Sequence, residues 1–131
     1  MAGATMTFDY HDIGAIRKLV ATWTSDDATG AVSGTTTKKI VGSLIKGITD
    51  PSGSAAPTAD YDITITDEQS FNVLTGAADD LTDRHTSDTE EVYFDQADHD
   101  RFPVVADTLT IAVTTAGNSK EGVLTIYYRA A

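Results

Sequence analysis

The strongest constraint in this chain is a period of two. Tyr61, Ile63 and Ile65 alternate with Asp62, Thr64 and Thr66 without a break. A helix would scatter those apolar side chains around its axis, whereas a strand sets them all on one face of a sheet. The rhythm returns over residues 16–24, where Leu19, Ala21 and Trp23 share one face and Lys18, Val20, Thr22 and Thr24 the other. It returns again where Leu109, Ile111 and Val113 alternate with Thr108, Thr110, Ala112 and Thr114. Threonine fills much of the polar half of these patterns, and its branched Cβ suits a pleated strand while lowering helix propensity.

The remaining segments extend the same reading. SDDATG at 25–30 is a turn. Residues 31–37 form a weak, small-residue strand suited to an edge. Over residues 40–49, Val41, Leu44, Ile45 and Ile48 fit a helical period as well, but Gly42, Gly47 and the β-branched residues favour a strand. That strand would put Leu44 and Ile48 on one face, Val41 and Ile45 on the other. DPSGSAAPTAD at 50–60 is a plain loop, residues 71–74 return from 61–66 as a hairpin, and 90–94 make a short strand. Pro103 cannot donate to a ladder, so 103–106 belongs at an edge. Residues 76–87 are polar, with a helical turn at 77–81 anchored by Leu81. AGNSKEG at 116–122 closes a last hairpin, in which 123–128 is apolar on both faces; such a strand is central or meets a partner outside its own sheet. Phe8 and Tyr10, at spacing two, allow a short edge strand in what otherwise reads as a terminal arm. The expected architecture is all-β, an arm over 1–12 followed by a single-domain β-sandwich over 13–131, jelly-roll-like, with about eight short strands.

A chain of 131 residues can hold one core unaided, and with no cysteine it must do so by packing alone. Its 20 acidic residues against 9 basic ones give a net charge of −11. That field repels phosphate backbones and anionic bilayers, so nucleic acid and membrane are not expected partners. No apolar run is long enough to span a bilayer, and the first ten residues lack the basic start and apolar run of a secretory signal, so synthesis in the cytoplasm is expected.

Chemistry-bearing patterns are scarce. His11, His85 and His99 lie in polar surroundings, and although Ser87 and Asp88 neighbour His85, closeness in sequence does not make a triad. Asp95, Asp98 and Asp100 lack the order and glycine of a calcium loop, and the carboxylates at 59–62 and 78–83 read as solvated. No phosphate-binding glycine loop occurs. The aromatics Trp23, Tyr61, Phe71, Tyr93, Phe94, Tyr127 and Tyr128 could line a sugar groove, but their strand positions favour core packing. No catalytic residue, metal site or cofactor is expected, and the chain reads as a binder of protein surfaces.

The segments IRKLVATWTSDDATGAVSGTTTKKIVG, ITDPSGSAAPTADYDITITDEQSFNVLTG and LTIAVTTAGNSKEGVLTIYY resemble small structural proteins from the head genes of tailed bacteriophages. The order WTSD…GTTT…TDP…YDITITD…AGN…G.L.IYY covers residues 16 to 128, and the class resembled most is the capsid decoration, or cement, proteins. The likeness is to the class; similarity to the lambda-type members is lacking. It implies a β-rich virion protein on the capsid exterior, a homotrimer that clamps neighbouring major capsid proteins against internal DNA pressure. The contacts expected from that role are Phe8 and Tyr10 in the arm, with Arg17, Lys38 and Lys39 at strand and loop edges. A tail, neck or fibre component, and a carbohydrate-binding module, are the alternatives.

Overall fold

Each alternating segment becomes a strand, and every strand pairs antiparallel. The computed structural model describes residues 4–75, 81–82, 84–95 and 102–130, and among these there is no helix. The strands are β1 (Thr5–His11), β2 (Ile16–Thr24), β3 (Val32–Thr35), β4 (Ile40–Pro51), β5 (Asp62–Thr66), β6 (Glu90–Tyr93), β7 (Val104–Asp107), β8 (Thr110–Thr114) and β9 (Glu121–Ala130). They form a β-sandwich with unequal layers. The 6-stranded sheet has the order β1-β2-β9-β4, with β6 and β7 sharing the far side of β4, and the 3-stranded sheet has the order β3-β8-β5.

Leu19, Ala21 and Trp23 of β2, Leu124, Ile126 and Tyr128 of β9 and Leu44 of β4 face Ile63, Ile65, Ile111 and Val113 of the small sheet. Burying each of the large aliphatic side chains contributes roughly 1.5–3 kcal/mol. Phe94 and Leu81, both fully buried, add to the same core. β9 lies between β2 and β4, the central position that its two apolar faces demand.

Four expectations need correction. Thr5–His11 is a strand and not a free arm: all seven residues register with β2, from Thr5 opposite Thr24 to His11 opposite Lys18. Met6, Phe8 and Tyr10 lie opposite Trp23, Ala21 and Leu19 and pack on the core beside β3, so apolar burial holds the segment down.

The second concerns residues 109–128. β8 pairs with β3 and β5, and β9 with β2 and β4, so residues 115–120 cross from one sheet to the other instead of joining a hairpin. The third concerns 71–74, which make one bridge, Thr66 to Asn72, and no strand. The Asp67 carboxylate accepts from the N–H groups of Gln69 and Phe71 at 2.9 and 3.0 Å and ends the pairing there. The fourth concerns β4. Its register with β9 shifts between Leu44 and Lys46, a bulge that inverts the alternation. Leu44 therefore points inward while Ile48, opposite Thr125, points outward. The proposed turn at 77–81 lies outside the described residues except for Leu81.

Candidate interaction surface

Among the described residues no layer covers the outward face of the large sheet, and the registers of its strands fix what it displays. One row runs His11, Lys18, Tyr127, Lys46, Tyr93 across β1, β2, β9, β4 and β6. The next runs Asp9, Val20, Thr125, Ile48, Glu91. On the other side lie Ile16, Arg129, Ser43 and Val104. Ile16, Val41, Tyr93 and Val104 are all exposed, Val104 at 78 %. Outward positions of a solvated sheet are ordinarily polar; here exposed apolar side chains lie among Lys18, Thr125, Arg129 and Ser43.

At the centre of the face Lys46 holds the two tyrosines together. Its ammonium lies 5.0 Å from the Tyr127 ring centroid and 5.5 Å from that of Tyr93, and donates to Glu91 Oε2 at 2.8 Å. The Glu91 hydrogen bond holds the Lys46 pKa above its ordinary value. A cation is thus seated against both rings.

Beside this face, the β1–β2 turn opens a groove of about 390 Å³ lined by residues that include Tyr10, Ile13, Ile16, Arg17, Lys18 and Tyr127. Ile13 is 90 % exposed there. Arg17 Nε donates to the Gly14 carbonyl at 2.9 Å, and Lys38 bonds Asp12 at 3.2 Å with its ammonium 5.0 Å from the Tyr10 ring. That Lys38 hydrogen bond lowers the Asp12 pKa. Of the expected contact residues, Tyr10, Arg17 and Lys38 therefore converge at one end of the sandwich. Phe8 packs inward, its ring 6.4 Å from that of Tyr10. Lys39 points elsewhere, to Glu68 at 3.9 Å. The reading of contact residues missed Lys18, Lys46, Tyr127 and Arg129. The two apolar faces of β9 were their available signal, but only the register joins them.

The His85 group is a capped turn. His85 Nδ1 accepts from the N–H groups of Ser87 and Asp88 at 3.1 and 2.9 Å. Its lone pair is thus committed to the backbone, and the Ser87 hydroxyl at 3.5 Å meets no available base. Among the described residues no group of carboxylates and histidines could hold a metal; His99, Asp98 and Asp100 lie outside them.

Charge is sorted along the strands. β2 opens with Arg17 and Lys18 and runs on into Asp26 and Asp27; β9 opens with Glu121 and ends at Arg129; Lys38 and Lys39 precede β4, which closes on Asp50. Because neighbours are antiparallel, reversed charge order along β9 puts its cation beside those of β2 and β4. Cations outnumber carboxylates at one end of the large sheet, where Asp12 and Asp107 also lie, and the other end is acidic.

No family model matches this chain, and neither a curated protein nor a solved structure does. Fold and surface together define a β-sandwich with one uncovered sheet face and a polarised charge.

Proposed function

We propose that this chain is a virion structural protein, a capsid decoration or cement protein that binds the outside of a shell of major capsid proteins and stabilises it as a homotrimer. The observation that carries the reading is the uncovered face of the large sheet, where the Tyr93–Lys46–Tyr127 cluster lies between Ile48 in one neighbouring row and Val104 in the other. A flat sheet face suits a protein laid over a shell, and a surface built on rigid strands needs little ordering when it docks. Net charge of −11 keeps the free subunit soluble before assembly. The resemblance of residues 16 to 128 to phage head proteins supplies the kind of shell. The role is non-catalytic, with no cofactor, and places the chain on the particle exterior after synthesis in the host cytoplasm.

The test is quantitative gel staining of purified particles together with rebinding to particles stripped of the chain. The expected result is a copy number comparable with that of the shell subunit, and loss of rebinding in a Lys46→Ala, Tyr93→Ala, Tyr127→Ala triple variant that keeps its circular dichroism. A few copies per particle would move the chain to the tail, neck or fibre. Absence from particles would overturn the reading.

A further inference from the structure

The two charged ends of the large sheet are too far apart to neutralise each other. β2 spans nine residues, about 30 Å at about 3.4 Å per residue, while the Debye length at physiological ionic strength is about 8 Å. Each end therefore presents its own sign to whatever approaches. The basic end also holds the groove beneath the β1–β2 turn, with Ile13 and Ile16 as apolar walls, Arg17 and Lys18 among its cations, and the Asp12 carboxylate in its lining neutralised by Lys38 at 3.2 Å. The acidic end gathers Asp26 and Asp27 after β2, Asp50 at the close of β4 and Glu121 at the start of β9, with Lys120 the neighbouring cation.

A chain whose net charge is −11 repels most copies of itself in most orientations. One orientation escapes that repulsion, with the basic end of one copy against the acidic end of the next. We propose that the chain self-associates head to tail, its β1–β2 groove receiving the Asp26–Asp27 turn of a second copy. Such a contact joins different surfaces on the two partners, so it is heterologous and closes into a ring when the rotation per step permits. The inference rests on the preceding reading only for the ring being a trimer; the contact follows from the charge order of three strands. Exposed ion pairs are individually weak, and closing a ring lets several contacts act together. The groove borders the uncovered sheet face through Ile16, Lys18 and Tyr127, while Val20, Ile48, Glu91 and Val104 of that face lie outside its lining and stay available for another partner.

Sedimentation velocity or native mass measurement tests the contact with two charge reversals, Arg17→Glu with Lys18→Glu, and Asp27→Lys with Glu121→Lys, which spare the Asp26 carboxylate that accepts from the N–H groups of Ala28 and Thr29. The wild type is expected as an oligomer that dissociates near 1 M salt, where the Debye length is about 3 Å. Each reversed variant alone is expected to dissociate at least about tenfold more readily, with unchanged circular dichroism. An equimolar mixture of the two is expected to regain a complex, because reversed ends complement each other. Ile48→Lys, in the middle of the uncovered face, is expected to leave the mass unchanged.

A monomeric wild type at the highest soluble concentration would overturn the proposal, as would reversed variants that keep the wild-type mass. If Ile48→Lys were the change that dissociates the oligomer, the copies would meet face to face and the head-to-tail contact would be wrong. Self-association as described in a chain absent from particles would leave this contact standing and remove the capsid role.

Discussion

At Gly42 the backbone φ is 144°, and a Cβ there would lie 1.9 Å from the Arg129 carbonyl oxygen on β9. Only glycine lets β4 and β9 pair at this point, just before the bulge. Gly42→Ala is expected to destabilise the fold by about 2 kcal/mol or more, since the obstacle is backbone that cannot rotate aside. A lower urea midpoint with unchanged slope would register it, and an unchanged midpoint would refute the close approach. Tyr61, 1 % exposed against Trp23 with ring centroids 5.7 Å apart, has its phenol pushed up to about 12, chiefly by burial. The unfolded chain releases that proton near pH 10 and the folded chain near pH 12. Stability is therefore whole below pH 10 and falls between the two values by up to about 2–3 kcal/mol. A Tyr61→Phe variant should lack that part of the alkaline loss; identical alkaline profiles for variant and wild type would contradict the burial. The sequence assigned Tyr61 to an inward face by alternation alone. It held no trace of the Gly42 requirement, because the obstructing carbonyl belongs to a residue far along the chain.

β1 illustrates what separates an arm from a strand. Its apolar positions, Met6, Phe8 and Tyr10, are few enough to be passed over, yet each lies opposite a buried residue of β2. The Tyr10 hydroxyl accepts from the Thr37 N–H at 2.8 Å and ties the edge to the segment after β3. Deleting residues 1–11 is expected to lower the thermal midpoint by several degrees, because ~1 kcal/mol moves the midpoint of a domain this size by about 2–8 °C and three apolar contacts are lost. A midpoint within one degree or so of the intact chain would mean that the segment contributes nothing to the core. On β4 the outcome is reversed. Its strand character was legible from Gly42, Gly47 and the β-branched residues, while its faces were not, since the bulge at Ile45 changes which parity points inward. The lost hairpin at 109–128 has its own cause: a turn announces that the chain reverses, not which sheet receives it.

For the molecule as a whole, most ion pairs among the described residues lie at the surface, and Arg84–Glu90, at 3.6 Å, is the more enclosed one. Lys38–Asp12, Lys39–Glu68 and Lys46–Glu91 all involve solvent-exposed partners, and such pairs contribute roughly 0–1 kcal/mol each. Raising salt from ~0.15 to ~1 M is thus expected to leave the thermal midpoint of a dissociated, charge-reversed variant within a few degrees, since screening weakens only those small terms. A fall of ten degrees or more at high salt would mean that the fold depends on its charges. The polarity of the sheet arises only at this scale. Arg17 with Lys18, Lys38, and Arg129 look like scattered charges along the chain, and the antiparallel order of β2, β9 and β4 collects them.

What the sequence determined by itself is the all-β class, most strand positions and the inward residues of β2, β5 and β8. Those follow from a period-two pattern, which is local and survives any choice of partner. The two apolar faces of β9 likewise announced its central place and an outward surface. Tertiary structure alone decided which sheet each strand joined, where β4 changes phase and which side chains share the uncovered face. Those outcomes depend on register between residues distant in the chain, and register is set by the packing of the whole core, which no short stretch of sequence contains.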